Sequence, residues 1–229
     1  REILEQYPNG PFASRDVFQL TDKACAELLG EFGITKSFVE TPTKNKNLTQ
    51  ASDIFAKSLY YNPSEEQQIS RLESLLQPEA FANITQRLAD SGMRKGFACL
   101  FYGAPGTGKT ETVLQLARKT GRALMQVNIS SIKDKYVGES EKNIKNLFDR
   151  YRRLVESEPI APILFFNEAD AIFNKRSENT VRAVDKMENA IQNIILQEME
   201  TLEGILIATT NLTSNLDSAF ERRFIYKVK

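Results

Sequence analysis

A short glycine-rich segment combines the residue types and the spacing that bind phosphate groups. Residues 103–110 have the sequence GAPGTGKT, which occupies every fixed position of the pattern G-x-x-x-x-G-K-[ST]. Glycines let the backbone point successive N–H groups into one concave site, the lysine reaches the β- and γ-phosphates, and the last hydroxyl binds Mg²⁺. The alternative is a glycine-rich turn without a ligand. The residues expected to bind a nucleoside triphosphate are Ala104, Pro105, Gly106, Thr107, Gly108, Lys109, Thr110 and Glu111.

A buried strand and a helix must flank this segment if its N–H groups are to converge. Residues 97–102 form an almost continuous apolar run, which is typical of a buried parallel strand. Residues 111–119 have helical spacing at Val113, Leu114 and Ala117. The flanking sequence therefore favours a phosphate-binding loop that connects a strand to a helix.

Strand and helix patterns alternate from Phe97 to the end of the chain. Strands are predicted at 97–102, 123–129, 161–166, 205–210 and 224–228, and helices at 109–120, 139–157 and 184–200. This order predicts an α/β fold, a doubly wound five-stranded parallel sheet with the phosphate-binding loop after its first strand. Ligands of such sheets bind at the carboxyl ends of the strands.

The part of the chain before the sheet is divided by a polar stretch. Residues 41–50 are turn-prone and poor in apolar side chains, so we expect a linker or an exposed loop there. An amphipathic helix is predicted within residues 18–32, with Thr21 as its candidate N-cap, and another helix begins after Asn62. We therefore expect an N-terminal helical extension with its linker at residues 1–60, followed by a nucleotide-binding region at residues 61–229.

Hydrolysis of a bound nucleotide also requires an acidic residue, which is expected at the end of a neighbouring buried strand. Residues 163–170 read ILFFNEAD, an apolar run followed by polar and acidic residues. Together with GAPGTGKT, this segment resembles the Walker B motif that accompanies Walker A in the AAA+ ATPases, especially the AAA clade of protein-remodelling and unfolding enzymes. Residues 208–211 (ATTN) resemble the sensor strand of that family, and residues 216–224 (LDSAFERRF) resemble its arginine-finger segment. The resemblance extends from about residue 97 to 228 and implies ATP as the nucleotide.

The resemblance implies a role for each of several polar residues. Glu168 would polarise the attacking water, and Asn211 would position that water or sense the γ-phosphate. Either Arg222 or Arg223 would reach the γ-phosphate on the adjacent subunit and, with Lys109, supply charge to the transition state. The residues alone leave other roles open, because Asn211 can cap a loop and the arginines can be solvated or pair with a carboxylate.

One residue departs from the family pattern. The family has aspartate before the catalytic glutamate, where this chain has Asn167. An amide oxygen is still an acceptor for Mg²⁺ and its waters, but it carries no charge. The predicted metal ligands are therefore Thr110 and Asn167. Two outcomes are open for the enzyme: ordinary turnover, or weaker Mg²⁺ binding with slower hydrolysis. Asn128, at the end of the second strand, resembles the polar partner that holds the catalytic glutamate.

An aromatic-apolar-glycine trio follows the second predicted strand. Tyr136, Val137 and Gly138 resemble the pore loop that lines the central channel of hexameric AAA+ unfoldases. Such side chains grip a polypeptide without selecting its sequence, because any segment offers van der Waals surface. The resemblance thus implies a homo-oligomer, a hexamer, that contacts a protein substrate through Tyr136 and Val137. The alternative is that Tyr136 packs against the core.

Composition limits the partners and the location. The chain has 229 residues, 41% of them hydrophobic, and its 30 basic residues balance 30 acidic residues, so nucleic acid is not an expected partner. Histidine is absent, and Cys25 and Cys99 are expected to be reduced core thiols. We find no apolar run of membrane length and no signal peptide, and we expect a cytoplasmic location. The missing initiator methionine suggests a fragment, in which the helical lid of the family would follow Lys229.

Three functions of different classes fit these residues. The first is an ATP-driven motor that remodels or unfolds proteins. The second is a nucleic-acid-directed loader, against which the balanced charge and the Tyr136 trio argue. The third is a nucleotide-gated assembly module with little turnover, which is compatible with Asn167.

Overall fold

Two compact units, Arg1–Lys46 and Asn47–Lys229, make up the chain in the computed structural model. The boundary lies earlier in the chain than the predicted one after residue 60. The structure describes residues 4–6, 18–20, 48–93, 95–128, 139–174, 183–212 and 216–229.

The described residues of the first unit form a pair of antiparallel strands, β1 (Leu4–Gln6) and β2 (Phe18–Leu20). Leu4 lies opposite Leu20 in the ladder. Strand β2 precedes Thr21, the candidate N-cap of the helix predicted within residues 18–32. The alternation of apolar and polar residues in Phe-Gln-Leu suits a strand, which repeats every two residues. The predicted helix itself lies outside the described residues.

The second unit contains the alternating strands and helices that the sequence predicts, with small shifts of their ends. Its strands are β3 (Leu48–Thr49), β4 (Phe97–Tyr102), β5 (Leu124–Asn128), β6 (Ile163–Asn167), β7 (Ile205–Thr210) and β8 (Tyr226–Val228). Its helices are α1 (Pro63–Leu75), α2 (Pro78–Asp90), α3 (Lys109–Lys119), α4 (Glu139–Ser157), α5 (Asp170–Phe173), α6 (Ala183–Glu200) and α7 (Ser218–Arg223), with a 3-10 turn at Ala51–Asp53. The helix predicted after Asn62 is α1, and its capping box is present. Helices α2, α5 and α7 were not predicted.

The sheet has six strands in the order β3-β5-β6-β7-β4-β8, of which all but β3 are parallel. The five-stranded parallel sheet is thus confirmed and extended by an antiparallel edge, where Leu48 lies opposite Met125. Leu48 and Thr49 lie within the stretch predicted as a linker or loop at residues 41–50, but they form this edge strand instead. Strand pairing uses backbone groups, so two residues join the sheet without an apolar pattern. Strand β7 lies between β4 and β6. The strand that Glu168 follows, β6, is therefore not the immediate neighbour of β4, which precedes the phosphate-binding loop.

Both faces of the sheet are buried, and the alternation along the strands assigns side chains to each face. On β6, Leu164 and Phe166 pack into one core with helices α4 and α6. Ile163 and Phe165 point to the opposite face and pack with α1 and α3. Helices on both faces explain why the central strands are continuously apolar. None of the helices in the described part of the chain has the length and apolar character of a membrane-spanning segment.

Candidate functional site

The phosphate-binding loop connects β4 to α3 at the carboxyl edge of the sheet. Gly106 (φ 79°) and Gly108 (φ 85°) have left-handed backbone conformations, which a side chain would strain. Gly108 is the N-cap of α3, and its carbonyl oxygen accepts the N–H of Thr112 at 2.8 Å. The positive end of α3 therefore opens directly onto the loop, as an anion site requires.

Lys109 reaches across the loop that precedes it. Its ammonium group donates to the carbonyl oxygens of Gly103 and Ala104, at 2.9 and 2.7 Å. Burial lowers the pKa of Lys109, and the charge of Asp170 opposes that shift. The lysine thus lies where a phosphate on the loop would meet it.

The side chains of Thr110 and Asn167 contact each other at the predicted metal site. The Thr110 hydroxyl donates to Asn167 Oδ1 at 2.9 Å, and the Thr209 hydroxyl donates to the same oxygen at 3.1 Å. Mg²⁺ prefers oxygen ligands, so these atoms fit the ion by ligand type. Within the described residues, no group of three or more His, Cys, Asp or Glu side chains offers an alternative metal site. Thr110 and Asn167 would therefore hold Mg²⁺, which would neutralise phosphate charge there.

Glu168 has an unusual backbone conformation for a residue with a side chain. Its φ of 53° lies in the left-handed region, and its N–H donates to the Thr209 hydroxyl at 3.1 Å. The side chain is exposed and lines the cleft beside the phosphate-binding loop. The strained turn at the end of β6 therefore directs a carboxylate toward the nucleotide site.

Asp170 is a site residue that sequence reasoning missed. Its Oδ1 accepts the Thr210 hydroxyl at 2.5 Å and the Asn211 N–H at 2.7 Å, and its Oδ2 accepts Asn211 Nδ2–H at 3.0 Å. These bonds tie the end of β7 to the start of α5 and orient the Asn211 amide. The signal in the sequence is a second acidic residue two positions after Glu168.

The residues predicted to bind the nucleotide line two clefts, and Lys109 belongs to both. The first cleft has a volume of about 370 Å³ and is lined by Pro105, Gly106, Gly108, Lys109, Thr110, Glu111, Glu168, Thr209, Thr210 and Asn211. The second cleft, of about 250 Å³, is lined by Ala104 and Thr107 together with Tyr61, Glu65, Ile69, Gly103, Phe101, Lys109, Thr112, Val228 and Lys229. Every residue predicted to bind the nucleotide therefore lines one of the two clefts.

The second cleft has apolar walls and a polar rim. Ile69, Phe101 and Val228 are buried and give this cleft apolar lining, as small-molecule pockets commonly have. The Thr112 hydroxyl donates to the Gly108 carbonyl, so the Tyr61 hydroxyl, 3.1 Å away, donates to Thr112. The segment before α1 thereby attaches to the first turn of α3.

Glu111 lines the first cleft and also forms an ion pair. Its Oε2 lies 2.6 Å from Lys57 Nζ, and its Oε1 accepts Gln115 Nε2–H at 2.9 Å. The hydrogen bond from Lys57 lowers the pKa of Glu111. Glu111 thus keeps its negative charge at the rim of the cleft, although that charge is paired with Lys57.

The two candidate finger arginines differ in their contacts. Arg223 donates to the carbonyl oxygens of Leu196 and Ala219, at 3.2 and 3.0 Å, and pairs with Glu200. Arg222 is exposed, and its Nε donates to the Ser218 carbonyl at 3.2 Å. Arg223 is therefore held against α6, whereas the exposed Arg222 bonds back to its own helix, α7.

The other sequence candidates lie at the end of β5 or beyond the described residues. Asn128 is exposed at the end of β5, where it pairs in register with Asn167. Tyr136 and Val137 lie outside the described residues, so their predicted role stays a prediction.

The sheet order and the clefts agree with a family assignment by sequence. The model of the AAA family, described as the ATPase family associated with various cellular activities, matches residues 99–229. The match begins inside β4 and includes the phosphate-binding loop, Glu168, Asn211 and both arginines.

Individual proteins are similar over the same region. Cell division protein C of Sulfolobus acidocaldarius is 32% identical over 135 residues, which cover 55% of this chain and 34% of the relative. The peroxisomal ATPase PEX1 of Saccharomyces cerevisiae is 31% identical over 156 residues, which cover 66% of this chain and 14% of the relative. The 26S proteasome regulatory subunit 7 of Dictyostelium discoideum is 32% identical over 155 residues, which cover 65% of this chain and 32% of the relative. The chain thus spans about a third or less of the length of these relatives.

Proposed function

Because the chain belongs to the AAA family of ATPases, we propose that it couples ATP hydrolysis to the remodelling or unfolding of protein substrates. The observation that carries the proposal is the first cleft, which brings together Lys109 and Thr110 from the start of α3, Glu168 from the end of β6 and Asn211 from the end of β7. The phosphates would lie on the loop and the adenine in the second cleft, between its apolar walls.

The chemistry follows from the groups around the first cleft. Glu168 accepts the proton of the attacking water as the water oxygen bonds to the γ-phosphorus and the bond from that phosphorus to the β-phosphate oxygen breaks, with ADP as the leaving group. Asn211, oriented by Asp170, holds the water. Lys109 and the N–H groups at the start of α3 stabilise the negative charge that develops on the phosphate oxygens. Mg²⁺ bound beside Thr110 and Asn167 would neutralise further phosphate charge.

Three observations support a protein rather than a nucleic acid as the substrate. Tyr136 and Val137 have the residue types that grip an extended polypeptide. Basic and acidic residues are equal in number, at 30 each. One relative is named as a regulatory subunit of the 26S proteasome.

We propose a homo-oligomeric ring, a hexamer, in which Arg222 completes the site of the adjacent subunit. Arg222 is exposed, whereas the guanidinium of Arg223 is bound within its own chain. A guanidinium supplied by the next subunit would add transition-state charge to the cleft. Native mass measurements with and without ATP test this point, because the proposal requires a six-fold species when ATP is bound.

The ATPase rate in the presence of different polymers tests the substrate class. We expect an unfolded protein to stimulate phosphate release, and we expect Tyr136→Ala to abolish the stimulation while retaining nucleotide binding. Lys109→Ala, which removes the phosphate contact, gives the background rate. Stimulation by DNA and not by unfolded protein would overturn the remodelling proposal.

Asn167 favours a second candidate, a nucleotide-gated assembly module with weak turnover. An uncharged residue beside Thr110 provides less attraction for Mg²⁺ than aspartate would. Assembled protein that binds ATP and Mg²⁺ but releases no more phosphate than Lys109→Ala would support this candidate over the motor.

A cytoplasmic location is also part of the proposal. Cys99 is a free thiol in the buried part of β4, which is compatible with a reducing compartment. Fractionation of cells that contain the protein tests this location.

A further inference from the structure

The oxygen atoms beside Thr110 carry no formal charge. Asn167 Oδ1 accepts hydrogen bonds from the hydroxyls of Thr110 and Thr209, at 2.9 and 3.1 Å. All three oxygens belong to neutral groups at any ordinary pH. A cation at this position would therefore find suitable ligand atoms without a carboxylate among them.

The acidic residues around the first cleft are engaged elsewhere. Glu111 pairs with Lys57, and both oxygens of Asp170 accept hydrogen bonds from Thr210 or Asn211. Glu168 follows Asn167 directly, but its side chain lines the cleft, where the proposed function assigns it to the attacking water. In that assignment none of these three carboxylates serves the position beside Thr110.

The positive groups around the loop attract the nucleotide itself and not the metal ion. Lys109 and the positive end of α3 attract phosphate whether or not a metal accompanies it. A carboxylate at position 167 would repel a metal-free triphosphate and would be neutralised by Mg²⁺, which makes nucleotide binding depend on the ion. An amide at position 167 does not repel a metal-free triphosphate, and it has no charge for Mg²⁺ to neutralise.

We infer that Asn167 uncouples nucleotide binding from Mg²⁺, so that the site binds ATP nearly as tightly without the ion as with it. Mg²⁺ is then needed for hydrolysis but not for capture of the nucleotide. This inference rests on the proposed function, because it concerns the same ATP site.

The test is a calorimetric titration of the full chain with adenylyl imidodiphosphate, a triphosphate that the enzyme cannot hydrolyse. Titrations are made in excess Mg²⁺ and in excess EDTA. For the unaltered protein we expect the two dissociation constants to agree within about threefold. For Asn167→Asp, which has the same shape and one more negative charge, we expect the Mg²⁺ dependence to rise by about tenfold or more.

A matched control separates the position of the charge from its presence. Asn128 lies opposite Asn167 in the β5–β6 ladder, on the side of β6 away from β7 and its Thr209 hydroxyl. Asn128→Asp adds the same charge one strand away, and we expect a much smaller change in Mg²⁺ dependence. A second readout is Mn²⁺ binding in the presence of the analogue, followed by electron paramagnetic resonance, which should tighten in Asn167→Asp.

Each result supports the inference or contradicts it. Loss of analogue binding by the unaltered protein in EDTA, with tight binding in Mg²⁺, overturns the inference and leaves the proposed function intact. An equal rise in Mg²⁺ dependence for Asn128→Asp and Asn167→Asp overturns the assignment to position 167. Absence of binding under both conditions overturns the proposed function and this inference together.

Discussion

At the scale of single residues, Glu168 combines a strained backbone with an exposed carboxylate. A residue with a side chain at φ 53° is less stable than glycine would be in the same conformation. The strain directs the carboxylate into the cleft, where the structure gathers Lys109 and Asn211 as well. Glutamate at a position suited to glycine points to a chemical role for the side chain.

The first prediction compares two substitutions that both remove this carboxylate. Glu168→Gly relieves the backbone strain, so we expect its free energy of unfolding to exceed that of Glu168→Ala by up to about 1 kcal/mol. Both variants should lose at least about 100-fold in phosphate release while still binding the nucleotide. Urea denaturation and a phosphate assay measure the two effects. A fully active Glu168→Ala variant would contradict the role of Glu168 as the base.

The second prediction separates Arg222 from Arg223. Arg223→Ala removes two hydrogen bonds to backbone carbonyls and an ion pair, so we expect it to lower the free energy of unfolding by about 1–2 kcal/mol. Arg222→Ala should leave the stability unchanged and lower the ATPase rate of the assembled protein. Thermal unfolding and ATPase assays at high protein concentration distinguish them. Equal rates for Arg222→Ala and the unaltered oligomer would exclude Arg222 as the finger.

At the scale of elements, one tyrosine fastens α4 to the sheet. The Tyr151 hydroxyl lies 2.8 Å from the Pro162 carbonyl and accepts the Ile205 N–H at 2.7 Å, so it joins the beginnings of β6 and β7. A side chain on Gly204 would collide with this hydroxyl. Burial raises the pKa of Tyr151. The contact fixes the strands whose opposite ends carry Asn167 and Asn211.

The third prediction follows from this contact. Tyr151→Phe leaves the buried Ile205 N–H without the hydroxyl that it now meets, and should lower the free energy of unfolding by about 1–3 kcal/mol. Tyr226→Phe is the matched control, because the Tyr226 hydroxyl donates to the Gln68 carbonyl at an exposed position. We expect the control to lose less than the Tyr151 variant in urea denaturation. Equal losses would mean that the buried contact contributes little.

The extended segment between the 3-10 turn and α1 is a second fastening, and it acts on the phosphate-loop helix. Gln115, which is buried on α3, donates to the Phe55 carbonyl at 2.9 Å and accepts the Lys57 N–H at 3.3 Å. Arg118 donates to the Ile54 carbonyl at 3.3 Å. The predicted extension at residues 1–60 therefore ends in a segment that holds α3, the helix that follows the phosphate-binding loop.

At the scale of the whole molecule, the division into two units predicts where the chain tolerates truncation. A fragment of residues 47–229 keeps β3 and the segment bound to α3, and we expect it to bind nucleotide as the full chain does. A fragment of residues 58–229 exposes Gln115 and loses the ion pair of Glu111, and should be less stable by about 1–3 kcal/mol. Thermal unfolding with and without nucleotide measures both fragments. Equal stability of the two would show that residues 47–57 are not needed for the fold.

Much of the fold was predictable because its signals are local. Apolar runs and helical spacing located the five parallel strands and the helices between them, and Asn62 with Pro63 located the start of α1. Strand β3 was not predicted, because its pairing depends on the backbone N–H and C=O groups along the edge of β5. No pattern of side chains in the sequence indicates which segment pairs with that edge. The same holds for the insertion of β7 between β4 and β6.

The sequence by itself determined which groups are available for chemistry. Glycine spacing predicts the loop that binds phosphate, and position 167 has an amide whatever the fold. Only the tertiary structure decided which of those groups meet: Asn167 with Thr110, Asp170 with Asn211, and Arg223 with its own chain. The physical reason is range, since backbone conformation depends on neighbours along the chain, whereas contacts between side chains depend on how distant segments pack.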